Sequence, residues 1–196
     1  MRKSLFLIIS IIVIVSCSEY SPKPQGYPRI ERAQFREVLF DHSYFSFSYP
    51  SDANVEEVKD KQPTQNDFWF NVQYPAYNAT IYCTYIPFAK GEFNQLVDDS
   101  YHLAYSHAAI AAGISQTTYR DSINHVYGVM YGIEGSVATP IQFYLTDSIS
   151  NFLRGSLYFD REVKADSISP IVQLLKKDIT TLMESLRWKN NNSSKR

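Results

Sequence analysis

Apolar residues recur at two spacings along this chain, and the places where the spacing changes divide it into elements. In "YFSFSYP" Phe45, Phe47 and Tyr49 share one face up to Pro50, and in "FWFNVQYP" Phe68, Phe70, Val72 and Tyr74 do the same. Period-two alternation sends successive side chains to opposite faces of a strand, so two strands are predicted. "ATIYCTYI" gives a third, joined to the second by a turn over residues 75–78. From Phe93 to Ala112 the apolar positions 93, 96, 97, 104, 108 and 111 fall at helical spacing. This predicts an amphipathic helix with Gly113 placed to cap its C-terminus. "VYGVMYGIEG", "PIQFYLT" and "FLRGSLYF" alternate again, and the polar links "SVAT" and "DSISN" between them are short enough for an antiparallel meander. Ser169 reads as the N-cap and Pro170 as the first residue of a last helix, whose stripe is Ile171, Leu174, Leu175, Asp178, Ile179, Leu182 and Leu186. Neighbouring strands that pair, with helices left to cover them, predict an α+β fold: a largely antiparallel sheet covered by helices in an α/β sandwich.

The N-terminal run obeys neither spacing. After Arg2 and Lys3 it is apolar from Leu5 to Val15, broken only by Ser10. That is well short of the roughly 20 residues needed to cross a bilayer, and it matches the apolar region of a secretory signal. It stops at Ile14-Val15-Ser16-Cys17, which resembles the lipobox of bacterial lipoproteins. Residues 1–16 are then the leader, and Cys17 is the first mature residue and the lipidation site. Each buried methylene contributes about 0.8 kcal/mol, so several acyl chains on one residue anchor a domain durably. Ser18 after the cysteine, rather than an aspartate, is compatible with transfer to the outer membrane, facing the periplasm. In residues 17–30, Pro22, Pro24 and Pro28 favour an extended tether rising about 3.1 Å per residue. Tyr20, Tyr27 and Ile30 could dock this tether on the domain or on a partner, which makes Tyr27 a candidate contact. Residues 31–189 form one globular domain, and 190–196 a polar tail.

Charge narrows the range of partners. Without the leader, which holds Arg2 and Lys3 and no acid, 17 basic residues face 20 acidic ones, a net charge of −3. Such a chain has no basic face for nucleic acid. With Cys17 acylated, Cys83 has no internal disulfide partner. It shares a strand face with Ile81 and Tyr85, the place of a small buried apolar group. Catalytic and metal constellations are scarce. His102 and His107 lie five apart on the predicted helix, about 140° of turn, and so diverge instead of chelating one metal. Gly132 to Ser136 lacks the serine elbow of hydrolases, and no glycine-rich phosphate loop occurs. The expectation is a protein without catalysis, cofactor or metal. The alternative is a periplasmic hydrolase or small-ligand carrier lacking a recognised motif.

In "FLRGSLYF" the alternation sets Phe152, Arg154, Ser156 and Tyr158 on one face and Leu153, Gly155, Leu157 and Phe159 on the other. A guanidinium among aromatic rings can stack and still offer a planar fork to a carboxylate. Phe152, Arg154 and Tyr158 are therefore candidate partner-binding residues. A structural arginine paired with Asp147 or another acid across the hairpin is the competing account. Gly155 serves either a close approach of backbone at a bulge or a crowded sheet face.

The stretch "QFYLTDSISNFLRGSLYFD" resembles the signature of the GldD family of gliding-motility lipoproteins of the Bacteroidetes. The likeness extends to Pro22-Lys23-Pro24-Gln25-Gly26-Tyr27, to Trp69-Phe70-Asn71, Tyr74-Pro75 and Asn78-Ala79, and to Arg187-Trp188-Lys189. It implies a lipid-anchored envelope protein supporting gliding motility and the associated type IX secretion machinery. The order of elements is also similar to the fold of the PsbP and Mog1 proteins. The tripeptide Asp-Ser-Ile occurs three times, with its serines at Ser122, Ser148 and Ser167. It resembles the acceptor motif for O-glycosylation of exported Bacteroidetes proteins. Asp and Ser are also common turn residues, so turn chemistry is the alternative.

Overall fold

The structure, a computed structural model, describes residues 30, 32, 34–58, 67–106, 108–160 and 165–189, the side chains of 165–167 excepted. The leader, Cys17, Tyr27, the tether up to residue 29 and the tail lie outside the described residues. In chain order the elements are β1 (Glu37–Asp41), β2 (Phe45–Pro50), β3 (Asn54–Glu57), β4 (Phe68–Tyr74), a 3-10 turn (Pro75–Tyr77) and β5 (Ala79–Pro87). There follow α1 (Phe93–Tyr105), β6 (Gly113–Asp121), β7 (Val126–Glu134), β8 (Ile141–Thr146), β9 (Asn151–Phe159), α2 (Ala165–Ser185) and β10 (Arg187–Trp188). Seven strands form one sheet in the order β3-β4-β5-β9-β8-β7-β6, and a small sheet runs β1-β2-β10. All pairings are antiparallel.

The α+β fold is thus as the alternation predicts, with two differences at helix ends. The first helix stops at Tyr105, with the Ser106 N–H donating to the carbonyl of His102. Gly113 does not cap it but opens β6, because the chain there is claimed by β7: the Ala112 N–H donates to Glu134 O, and Gly113 pairs with Glu134. Ala111 still packs against the core beneath α1, so its place in the apolar pattern reflects burial without helix. The last helix begins at Ala165, so Ser169 is not its cap and Pro170 sits in its second turn. There the proline forgoes the amide that would have bonded the carbonyl four residues back.

The inner face of the large sheet carries Phe70, Val72, Ile81, Cys83, Tyr85, Leu145, Leu153 and Leu157, all buried. It packs against Leu175, Ile179, Leu182 and Leu186 of α2 and against Phe45 and Phe47 of the small sheet. Burial of large apolar side chains of this kind is worth about 1.5–3 kcal/mol each. Burial also pushes the Cys83 thiol far up, which leaves it inert. Gly155 has no bulge role here. A Cβ on it would stand 2.5 Å from the Phe143 ring, so the glycine fits a crowded face.

One polar cluster interrupts this core. Arg32 donates from Nε to Asp52 Oδ2 at 2.6 Å and from Nη1 to Asp178 Oδ1 at 2.8 Å. The hydrogen bond from Arg32 holds the Asp52 carboxyl below the ordinary carboxylate value. Burial pushes Asp178 above it, against the pull of Arg32. Burial and the Asp178 charge likewise push the adjacent Tyr74 phenol up. The chain at Arg32 is therefore clamped between α2 and the loop before β3. Arg32→Ala strands Asp178 in the core and is expected to cost about 2–4 kcal/mol, under the full value of a buried pair because the Asp52 side chain is 30% exposed. Urea unfolding measures the loss.

His42 has its ring stacked on Phe68 at 3.9 Å and its Nδ1 buried without a hydrogen-bond partner among the described residues. Burial lowers its pKa from 6.5, while the fields of Glu57 and Lys189 act in opposite directions. The unfolded chain then binds the proton more tightly than the folded one. Stability accordingly rises with pH through the interval just below the ordinary value and levels off above it. Melting curves between about pH 5 and 8 should show this slope, and a His42→Phe chain should lack it.

Candidate functional site

The outer face of the large sheet is built in rows by the strand register. Trp69, Thr84 and Arg154 stand side by side on β4, β5 and β9, then Asn71, Tyr82 and Ser156, then Gln73, Thr80 and Tyr158. α1 covers the other half of this face, over Tyr131, Tyr144 and Phe152, with Ala104 fully buried against them. Between the helix and the open rows lies a groove of about 510 Å³, lined by Tyr82, Thr84, Leu103, Arg154, Ser156 and Tyr158. Tyr82 and Tyr158 are 48% and 39% exposed, and their rings meet edge to face at 5.5 Å.

Arg154 is half-buried at the base of this groove. Among the described residues it has no ion pair and no side-chain hydrogen bond, and neither do Thr84 or Ser156. The competing account of Arg154 as a partner of Asp147 fails because that carboxylate is fully engaged. Its Oδ1 accepts from the N–H groups of Ile149, Ser150 and Asn151 at 2.8, 2.8 and 2.9 Å, and its Oδ2 from Asn151 Nδ2 at 2.6 Å. Burial opposes ionisation of Asp147, but these donors hold its carboxyl below the ordinary value. The acid that does feel Arg154 is Asp67, whose carboxyl burial pushes up while the Arg154 charge draws it down.

Of the residues singled out from sequence, Arg154 and Tyr158 meet in the groove. Phe152 does not: it is fully buried beneath α1 and stacks on Tyr144 at 5.2 Å. The alternation placed it on the right face, but α1 ends the open surface one residue pair short of it. Tyr82, Thr84 and Leu103 escaped the sequence reading. The alternation of "ATIYCTYI" sets Tyr82 and Thr84 opposite the buried Cys83, but only the β5–β9 pairing brings them beside Arg154. Ser122 and Ser148 are exposed at two hairpin tips, whereas the side chain of Ser167 is outside the described residues. Asp121 shapes the first tip as Asp147 does the second, accepting from Ile123 and Asn124 N–H at 3.0 and 3.1 Å.

The groove is lined by polar and aromatic side chains. Its described lining offers a guanidinium and hydroxyl groups but no carboxylate, imidazole or thiol to act as base or nucleophile. Among the described residues no three His, Cys, Asp or Glu side chains gather as a metal site, and no helix is long and apolar enough to cross a membrane. The family model described as gliding motility lipoprotein GldD matches residues 17–188, and the chain belongs to that family. Involvement in gliding motility and attachment as a lipoprotein follow from that membership. A search of curated proteins returns no match.

Proposed function

We propose that this chain is a non-catalytic accessory of gliding motility, acylated at Cys17, held on the outer membrane facing the periplasm, and docking on the gliding and type IX secretion machinery through protein–protein contacts. The observation that carries the reading is the half-buried Arg154, without an ion pair among the described residues, beside two exposed tyrosines in a groove whose described lining holds no carboxylate or imidazole. Arginine and tyrosine are the residues in which interface energy concentrates. The start of the family match at Cys17 supports acylation there. Capture from crosslinked envelopes tests the reading together with membrane fractionation. The native chain should bring down components of both machineries. Cys17→Ser should lose acyl label and membrane retention, and full retention of a variant still carrying label would refute lipidation at this residue.

The hairpin tips support one further modification. Ser122 and Ser148 project into solvent beside Ile123 and Ile149, which are 89% and 72% exposed, so a glycan at either would meet no steric barrier. We propose O-glycosylation at one or more of Ser122, Ser148 and Ser167. Intact-mass measurement of protein from its native host should exceed the mass of the acylated polypeptide. Equality would leave the tripeptides as turn chemistry alone.

A further inference from the structure

The two partly buried arginines of the described core differ in one respect. Arg32 is held by two carboxylates in contact, whereas Arg154 makes no ion pair or side-chain hydrogen bond among the described residues and feels only the more distant charge of Asp67. A partly buried guanidinium with no carboxylate in contact keeps its planar fork unused, and a ligand carrying a carboxylate would fill it. The groups around it have the same polarity: Thr84 and Ser156 offer hydroxyls that make no other hydrogen bond, and no described acid lines the groove. At its base a niche of about 10 Å³ opens beside Arg154, Ser100, Gln142 and Ser156, space for one oxygen-sized group.

The walls restrict what can bring that oxygen. On one side stands Leu103, 47% exposed, and on the other the rings of Tyr82 and Tyr158. These walls suit aliphatic or aromatic neighbours of an acidic group better than a free anion. β5 and β9 are interior strands, each paired on both sides, so a peptide cannot add to the sheet here through its backbone. Recognition must run through a side chain dropped into the groove. We infer that the groove captures an aspartate or glutamate side chain of a partner protein, flanked by apolar residues, with Arg154 as its bidentate fork. This rests on the docking reading above and names what that surface grips.

The test uses residues 18–196, the mature chain without its lipidation cysteine, which contains every described element, and follows the Arg154 Nε–Hε signal by NMR. The probe is the acetylated, amidated pentapeptide Gly-Leu-Glu-Leu-Gly, run beside its Glu→Gln counterpart and beside trigalacturonate. The glutamate peptide should give a saturable shift at Arg154, Tyr82 and Tyr158, at least about tenfold tighter than the glutamine peptide, the scale of a charge-assisted pair. Arg154→Gln should abolish binding while melting as the native chain does, and Arg154→Lys should fail to restore it because an ammonium lacks the planar fork. No saturable shift, equal binding of the glutamine peptide, or binding of trigalacturonate in place of the peptide would overturn the inference. If Arg154→Gln captures the same envelope proteins as the native chain, the carboxylate fork is refuted while docking stands. If the native chain captures none, the docking reading itself fails.

Discussion

A thirteen-residue helix cannot cover a seven-stranded sheet, and most of what is distinctive here follows from that mismatch. α1 is about 20 Å long and about 10 Å across, whereas seven strands span about 29 Å. The inner face meets no such shortage, because α2 and the small sheet share it. On the outer face α1 seals β7, β8 and the start of β9, and leaves the remaining rows of β9, β5 and β4 to water. The residues there are accordingly polar or amphipathic, Asn71, Thr80, Tyr82, Thr84, Arg154, Ser156 and Tyr158, where the covered rows carry Val129, Tyr131, Ile133, Tyr144 and Phe152. The groove is the step between the covered and uncovered halves.

The unpaired state of Arg154 has a local origin in the hairpin that precedes it. Asp147 is seven residues away, close enough in sequence to be the expected partner. Three amide hydrogens and a side-chain amide compete for it, and they win because the tip has no glycine: Ser148 adopts a positive φ of 63°, a conformation that needs an outside restraint in a residue with a Cβ. The carboxylate supplies that restraint. Tyr85 reinforces it by donating its hydroxyl to Asn151 at 2.6 Å. The side chain that would have neutralised the arginine is thus spent on shaping the turn.

The strands with clean alternation, β2, β4, β5, β7, β8 and β9, were legible in the sequence because each has one sealed face. β1, β3, β6 and β10 were not. β3 and β6 are the edges of the large sheet, where polar residues such as those in "GISQTTYRD" suppress the pattern and also discourage unwanted strand pairing. β10 is two residues long and exists only because Arg187 and Trp188 find Ser46 and Phe45 across from them. At the site, the face of Arg154 and Tyr158 could be read from one strand, but Tyr82 and Leu103 required knowledge of which elements are neighbours. Asp178 stood out in its helical stripe as an acid among leucines, yet its partner Arg32 lies 146 positions away.

That partnership decides how the domain would respond to a pull on its N-terminal end. β1 is an edge strand joined to β2 with Glu37 opposite Pro50, so tension entering at residue 37 would unzip the backbone bonds one at a time, the weakest way to strain a sheet. The Arg32 clamp lies upstream of that zipper. Tension arriving there divides between the loop holding Asp52 and the helix holding Asp178, and through them enters both layers of the core at once. In a lipid-anchored protein, whose tether enters from this end, the ion pairs at residue 32 would have to break before such tension could reach the backbone bonds of β1.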